Sequence, residues 1–263
     1  MSPPSAPIPS PQHSSSSLSL FPLLSTIEAP HTPLLSFANS GGLGVEYSYS
    51  RQRSMYSPSM NLIRLHFRNH ISQPLYNVSM KNVSKDTEVE VVPFPEISQL
   101  TPNATADVNM HVEFGLTTQP LKFDICCSQG AFPVSLTPAV GELLRPLDLT
   151  SDLFSVEEGK LQGLHEHSTK FKMSSDPNPT PQSVAQRLLS YVNVAYVPPK
   201  SEQSEGEDSI LRFAGRTAKG DLPVLVVVEI PPDLANTQCK ARVHCENMKL
   251  CGLLMEAVKA AVS

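Results

Sequence analysis

Cysteines, histidines and one glycine-spaced loop are the places where this chain could do chemistry. Cys126 and Cys127 are adjacent. A thiol nucleophile needs a base poised beside it on a sharp turn. The alternating stretch 121–127 around the pair offers no such turn, and the sequence holds no G-x-S-x-G elbow for a serine. One thiol is expected to face a core and the other the surface, as structural cysteines do. Residues 215–220 (GRTAKG) have spaced glycines, but a phosphate cradle needs Lys and then Ser or Thr after the second glycine, and here Asp221 follows. A strand running into a hairpin turn accounts for that segment. His165 and His167 would share one face of a strand, and Cys239, His244, Cys245 and Cys251 crowd the carboxyl-terminal end. Structural zinc sites pair ligands two to four residues apart. Cys239 and Cys245, on one face of an extended strand, stand about 20 Å apart at roughly 3.3 Å per residue. The reading therefore names no catalytic residue, no metal ligand and no cofactor.

Composition narrows the classes further. The chain has 263 residues and a net charge of -5, with acidic and basic residues dispersed, so there is no basic footprint for nucleic acid. Its longest apolar run, around residues 224–228, falls far short of the roughly 18 to 20 residues that span a bilayer. Met1 is followed by Ser and Pro rather than by a secretory signal, and five cysteines, an odd number, suit reduced thiols. A cytosolic protein is expected. The sequons at Asn77, Asn82 and Asn103 then read as chance matches.

The elements around these residues change period part-way along the chain. Residues 1–40 hold eight prolines and eleven serines with one carboxylate, Glu28, and neither Lys nor Arg, so a disordered linker with no fold is expected there. The scattered Leu18, Leu20, Phe21, Leu23 and Leu24 could serve as a short docking motif within it. From Gly41 apolar residues alternate with polar ones: Val45, Tyr47, Tyr49; Ile63, Leu65, Phe67; Ala106, Val108, Met110, Val112, Phe114. A period of two is that of a half-buried antiparallel strand. Further strands are expected over 75–83, 88–92, 121–127 and 131–136, separated by Pro and Gly turns, which predicts an immunoglobulin-like β-sandwich. After Asp148, Val184, Leu188, Leu189, Val192 and Tyr196 take helical spacing up to Pro198-Pro199. An acidic loop over 201–209 leads to strands at 210–218, 222–230 and 238–246, and a closing helix covers 250–262. With one more strand near 161–173, this half predicts a small antiparallel sheet with helices. The predicted organisation is a linker over 1–40, a β-sandwich over 41–146 and an α+β platform over 147–263, with two separately buried lobes.

Five segments, GLGVEYSYSRQ (42–52), PAVGELL (138–144), KLQGL (160–164), LRFAGRTAKGDLPVLVVVEI (211–230) and CGLLMEAVKAAV (251–262), together resemble the carboxyl-terminal region of the β subunit of adaptor protein complex 3. The resemblance implies the end of a serine-rich hinge followed by an appendage, without the helical trunk that assembles with the other adaptor subunits. It implies a noncatalytic role: recruiting accessory or coat proteins while cargo is sorted from Golgi and endosomal membranes towards lysosomes and related organelles, with membrane association only through the complex. Appendages of related endocytic adaptors grip short peptides in a Trp-containing pocket, and this sequence has no Trp. Tyr191, Tyr196 and Phe213 are the aromatic residues left for a partner-binding surface, although their places in apolar stripes favour the core for each. Asp152-Leu153-Phe154 looks like a docking peptide and is expected to pack at the start of the platform. The competing reading is a stand-alone cytosolic β-sandwich hydrolase or metal-binding protein.

Overall fold

The computed structural model describes residues 31–84, 88–172, 181–200, 210–230 and 238–262. The leucine-rich segment 18–24 and the acidic loop 201–209 lie outside the described residues. Among the described residues, nine strands make the first lobe. β1 (Thr32–Leu35), β2 (Leu43–Arg53), β3 (Asn61–Asn69), β7 (Thr105–Glu113) and β5 (Glu90–Val92) form one sheet in that order. β6 (Ile97–Leu100), β4 (Leu75–Lys81), β8 (Leu121–Cys127) and β9 (Gly130–Leu136) form the other. All the pairings are antiparallel. The alternation explains them: Val45 sits opposite Phe67, Tyr47 opposite Leu65 and Ile63 opposite Met110, and these side chains are buried in the sandwich core. Asn77, Asn82 and Asn103, the sequon asparagines, all have positive φ, a conformation that asparagine tolerates better than most residues.

Three expectations for this lobe need correction. The fold begins inside the segment read as linker: β1 pairs with β2, and Leu34 and Leu35 pack against the core. A four-residue edge strand draws its order from the partner it joins, which the composition of its own segment cannot report. The polar face of β7 is not all in water either, because His111 and Glu113 are buried. Ser54 Oγ lies 2.8 Å from His111 Nδ1 and the Tyr56 ring meets the His111 ring edge-on, so the chain between β2 and β3 folds over that end of the sheet. Finally, Cys126 and Cys127 are both half-buried rather than one in and one out.

The second lobe is a sheet ordered β10 (Leu144–Pro146), β13 (Ile210–Thr217), β14 (Pro223–Glu229), β15 (Gln238–Cys245) and β11 (Glu166–Lys172). β12 (Ala195–Val197) pairs with β13 beside β10. On β14 the run from Val224 to Val228 is buried on both faces, so helices must cover both sides. α2 (Pro181–Val192) and α3 (Met248–Val262) pack on one side through Val184, Leu188, Leu250, Leu254 and Val258. On the other side α1 (Ser151–Leu161) sets Phe154 and Leu161 against Leu225 and Val227. Each helix has a local cause. Thr150 Oγ1 accepts from Leu153 N at the start of α1, and Asn247 Oδ1 accepts from Leu250 N at the start of α3. Asn193, at φ 59°, stops α2 in a left-handed conformation. Tyr196 therefore lies on β12, not on the helix that its spacing predicts.

The joint changes the picture of two separate cores. A 3-10 turn over Val140–Leu143 is buried at every residue, and β10 leads from it directly into the second sheet. The buried apolar cluster runs from the sandwich through Val140, Leu143 and Leu144 to α2 and α3 without a break. The lobes share one core, because the connection is itself apolar and inward-facing. Among the described residues, only the small cluster beneath α1 stands apart.

Candidate functional site

Where the lobes meet, a cleft of about 770 Å³ opens, and arginines from three distant parts of the chain converge on it. Arg51 and Arg53 come from the end of β2, Arg145 from β10 and Arg216 from the end of β13. β2 and β3 stay in register to Ser50 and Leu62, and then Arg53 pairs with Asn61, so a bulge displaces Arg51 and Gln52. Bulges redirect side chains at sheet edges. Facing the four arginines within the cleft are two carboxylates, Glu142 and Asp221.

The arginines are held unequally. Arg145 is a pin between the lobes: its guanidinium donates to the carbonyls of Glu142 (3.2 Å), Leu144 (2.8 Å) and Met60 (3.4 Å) and to Asn61 Oδ1 (2.5 Å). Burial lowers the Arg145 pKa, against the opposing pull of Glu142. Glu142 is itself buried, and desolvation raises its carboxyl above the usual range while Arg51 and Arg145 pull it down. Arg51 reaches the Glu142 carboxylate at 3.4 Å and the Ser190 carbonyl, at the end of α2, at 3.4 Å. Arg216 meets the exposed Asp221 at 3.1 Å. Arg53 is exposed and has no ion-pair partner among the described residues. Close by, Lys219 on the β13–β14 turn reaches across to Glu113 at 2.7 Å. Burial would raise the Glu113 carboxyl, but hydrogen bonds from Lys219 and Ser59 outweigh it and hold it below its ordinary value.

Sequence reasoning missed this cleft, since Arg51 and Arg216 are far apart in the chain and each looks like an ordinary strand end. The aromatic candidates do not converge on one site. Phe213 is wholly buried and Tyr196 is half-buried with its ring edge-on to Phe213, 5.7 Å between centroids. Tyr191 is 65% exposed, contrary to its expected core place, because it occupies the face of α2 turned from the sheet. In the docking-like tripeptide, Phe154 is buried while Leu153 is exposed.

Comparison with known proteins gives two family matches. Residues 3–119 match the family described as the C-terminal part of the clathrin-adaptor complex-3 beta-1 subunit, and residues 141–262 match the family described as AP-3 complex subunit beta-1, C-terminal domain. This chain belongs to the AP-3 β subunit family. It is 29% identical over 197 residues to AP-3 complex subunit beta-1 of the dog, covering 75% of this chain and 17% of that protein. Against AP-3 complex subunit beta-2 of the mouse the figures are 28% over 222 residues, 84% and 20%. With AP3-complex subunit beta-A of Arabidopsis thaliana the match extends to 89% of this chain at 22% identity. The chain thus spans about a fifth of the length of its mammalian AP-3 β relatives. Among solved structures, the GAE domain of yeast GGA1 covers 41% of this chain and 96% of its own at 16% identity and a TM-score of 0.30, too slight a likeness to bear on the fold.

The carboxyl-terminal thiols of this AP-3 β region are packed in the core. Cys239 and Cys245 point from β15 into the shared core, and Cys251 Sγ donates to the Val243 carbonyl at 3.2 Å. Burial pushes the thiols of Cys239 and Cys251 up to about 11 and raises that of Cys245 as well. His167 lies on β11 opposite Val243, and His244 is fully buried on β15 with Glu158 3.5 Å away. Among the described residues no three His, Cys, Asp or Glu side chains are grouped to hold a metal. Thiolate is the reactive form, so neutral-pH alkylation of the native chain followed by peptide mass spectrometry is expected to label Cys126 and Cys127 first. Prompt labelling of Cys239 or Cys251 would show that the core at β15 opens.

Proposed function

We propose that this chain is a noncatalytic protein-interaction appendage of a vesicle-coat adaptor, a sandwich and a platform meeting near residue 146. Membership of the AP-3 β family carries this reading. The chain works by contact: it recruits accessory or coat proteins in the cytoplasm, at Golgi, endosomal and coated-vesicle membranes, while cargo moves towards lysosomes and related organelles. Its partners include the other adaptor subunits. Its association with membranes is peripheral and made through the complex. A tethered binding module raises the local concentration of its partners without a rigid dock. The placement of Cys239, Cys245 and Cys251 in the core, with their thiols raised by burial, supports contact over catalysis.

The test is a graft. An AP-3 β subunit whose carboxyl-terminal region is replaced by this chain is expected to restore lysosomal delivery of cargo in cells lacking that subunit, whereas a subunit truncated at the same point assembles but sorts poorly. Equal sorting by the truncated and grafted subunits would refute the proposal.

A further inference from the structure

We propose that the cleft between the lobes binds a partner segment phosphorylated on serine or threonine, with Arg51 and Arg53 as the phosphate-binding pair and Arg216 as a second anionic contact. The proposal rests on the reading of the chain as an interaction appendage and names the chemistry of its partner.

The charge of the cleft comes first. In a chain with a net charge of -5, four arginines meet two carboxylates around one recess. Their guanidiniums are not equally available. Arg145 spends its donors on carbonyls and Asn61. Arg51 holds Glu142 at 3.4 Å, longer than the roughly 2.7–2.9 Å of a well-made charged hydrogen bond, and Arg53 has no partner among the described residues. A planar fork with free donors is suited to phosphate.

Phosphate fits better than carboxylate. A carboxylate entering beside Arg51 could only exchange with Glu142 like for like. A phosphoryl group carries nearly two charges and three acceptor oxygens, so it can draw on Arg51 and Arg53 together while Glu142 stays in place.

The surroundings favour a peptide over a compact polyanion. Glu142 and Asp221 interrupt the positive surface and would repel a ligand whose charges are massed together. A peptide can space its anions, one at the β2 bulge and one at Arg216. Ser50 and Gln52 line the intervening wall with groups that can bond a peptide backbone. A volume of about 770 Å³ lies in the range of pockets that enclose organic ligands rather than single ions. The Arg145 pin and the Lys219–Glu113 bridge set the walls in advance, which reduces the ordering cost of binding.

Fluorescence anisotropy on the 263-residue chain tests this, with a short labelled peptide carrying phosphoserine followed by a spaced acidic residue, and its unphosphorylated twin. The phosphopeptide should bind and the twin should not, with affinity falling as salt rises. Arg53→Glu and Arg216→Glu should each weaken binding by about tenfold or more, while Lys172→Glu, exposed on β11 outside the cleft, should leave it unchanged. Circular dichroism melting of each variant separates lost binding from lost folding. Equal binding of both peptides, inorganic phosphate competing as strongly as the phosphopeptide, or capture of phosphoinositide vesicles through these arginines without peptide binding would overturn the assignment. Failure here with the graft still sorting cargo removes the cleft site and leaves the appendage reading standing.

Discussion

Alanine in place of Gly141 is expected to destabilise the chain by about 3 kcal/mol, at the upper end of what overpacked sites cost. A Cβ built on Gly141 would lie 2.4 Å from the Tyr191 carbonyl oxygen and 3.1 Å from the Val192 carbonyl carbon. Those are backbone atoms at the end of α2, so no side chain can swing aside to make room. Either α2 lifts from the joint or the 3-10 turn moves, and both loosen the core that the lobes share. In thermal unfolding the melting temperature should fall by roughly 6 to 12 °C, given about 2–4 °C per kcal/mol for a chain of this size. Gly159 provides the internal comparison: it is exposed on α1 with nothing within 4 Å of a built Cβ, so Gly159→Ala should be neutral or stabilising by up to about 1 kcal/mol. If both variants melt with the parent, α2 is not seated on the joint as described.

Removing the Arg145 side chain should have a comparable effect by a different route. Arg145→Ala strips a partner from the Met60 and Leu144 carbonyls and from Asn61 Oδ1, and leaves the buried Glu142 facing Arg51 alone. Breaking one side of a desolvated charged network costs about 3–5 kcal/mol, mostly from the groups left behind. Arg216→Ala is the matched comparison. Its partner Asp221 is 72% exposed, and such surface pairs contribute about 0–1 kcal/mol. Urea midpoints for the two variants should therefore differ widely; similar midpoints would mean that Arg145 does not pin the lobes together.

The elements most legible in the sequence were those whose burial is one-sided and periodic. β2, β3, β7 and β8 could be read from alternate residues, and α3 from a single apolar stripe, because in each case one face meets the core. Where burial depends on distant partners the pattern is silent or misleading. β1 lies in a Ser- and Pro-rich stretch and is ordered by β2. α1 escaped because only Phe154 and Leu161 are buried, while Leu153 and Val156 are exposed and blur its stripe. Tyr196 continues the helical spacing of α2, but the turn at Asn193 has already redirected the chain. The cleft was the least legible part. Its arginines converge only once β10 pairs with β13 and the bulge in β2 turns Arg51 aside, and neither event leaves a mark in the local sequence.

The buried 3-10 turn at Val140–Leu143 also bears on how such a protein can change over time. Cut there, each half would carry a raw apolar stump into water. Because residues of both lobes pack on the same turn, a change of side-chain volume at Val140, Leu143 or Leu144 is felt on both sides of the seam.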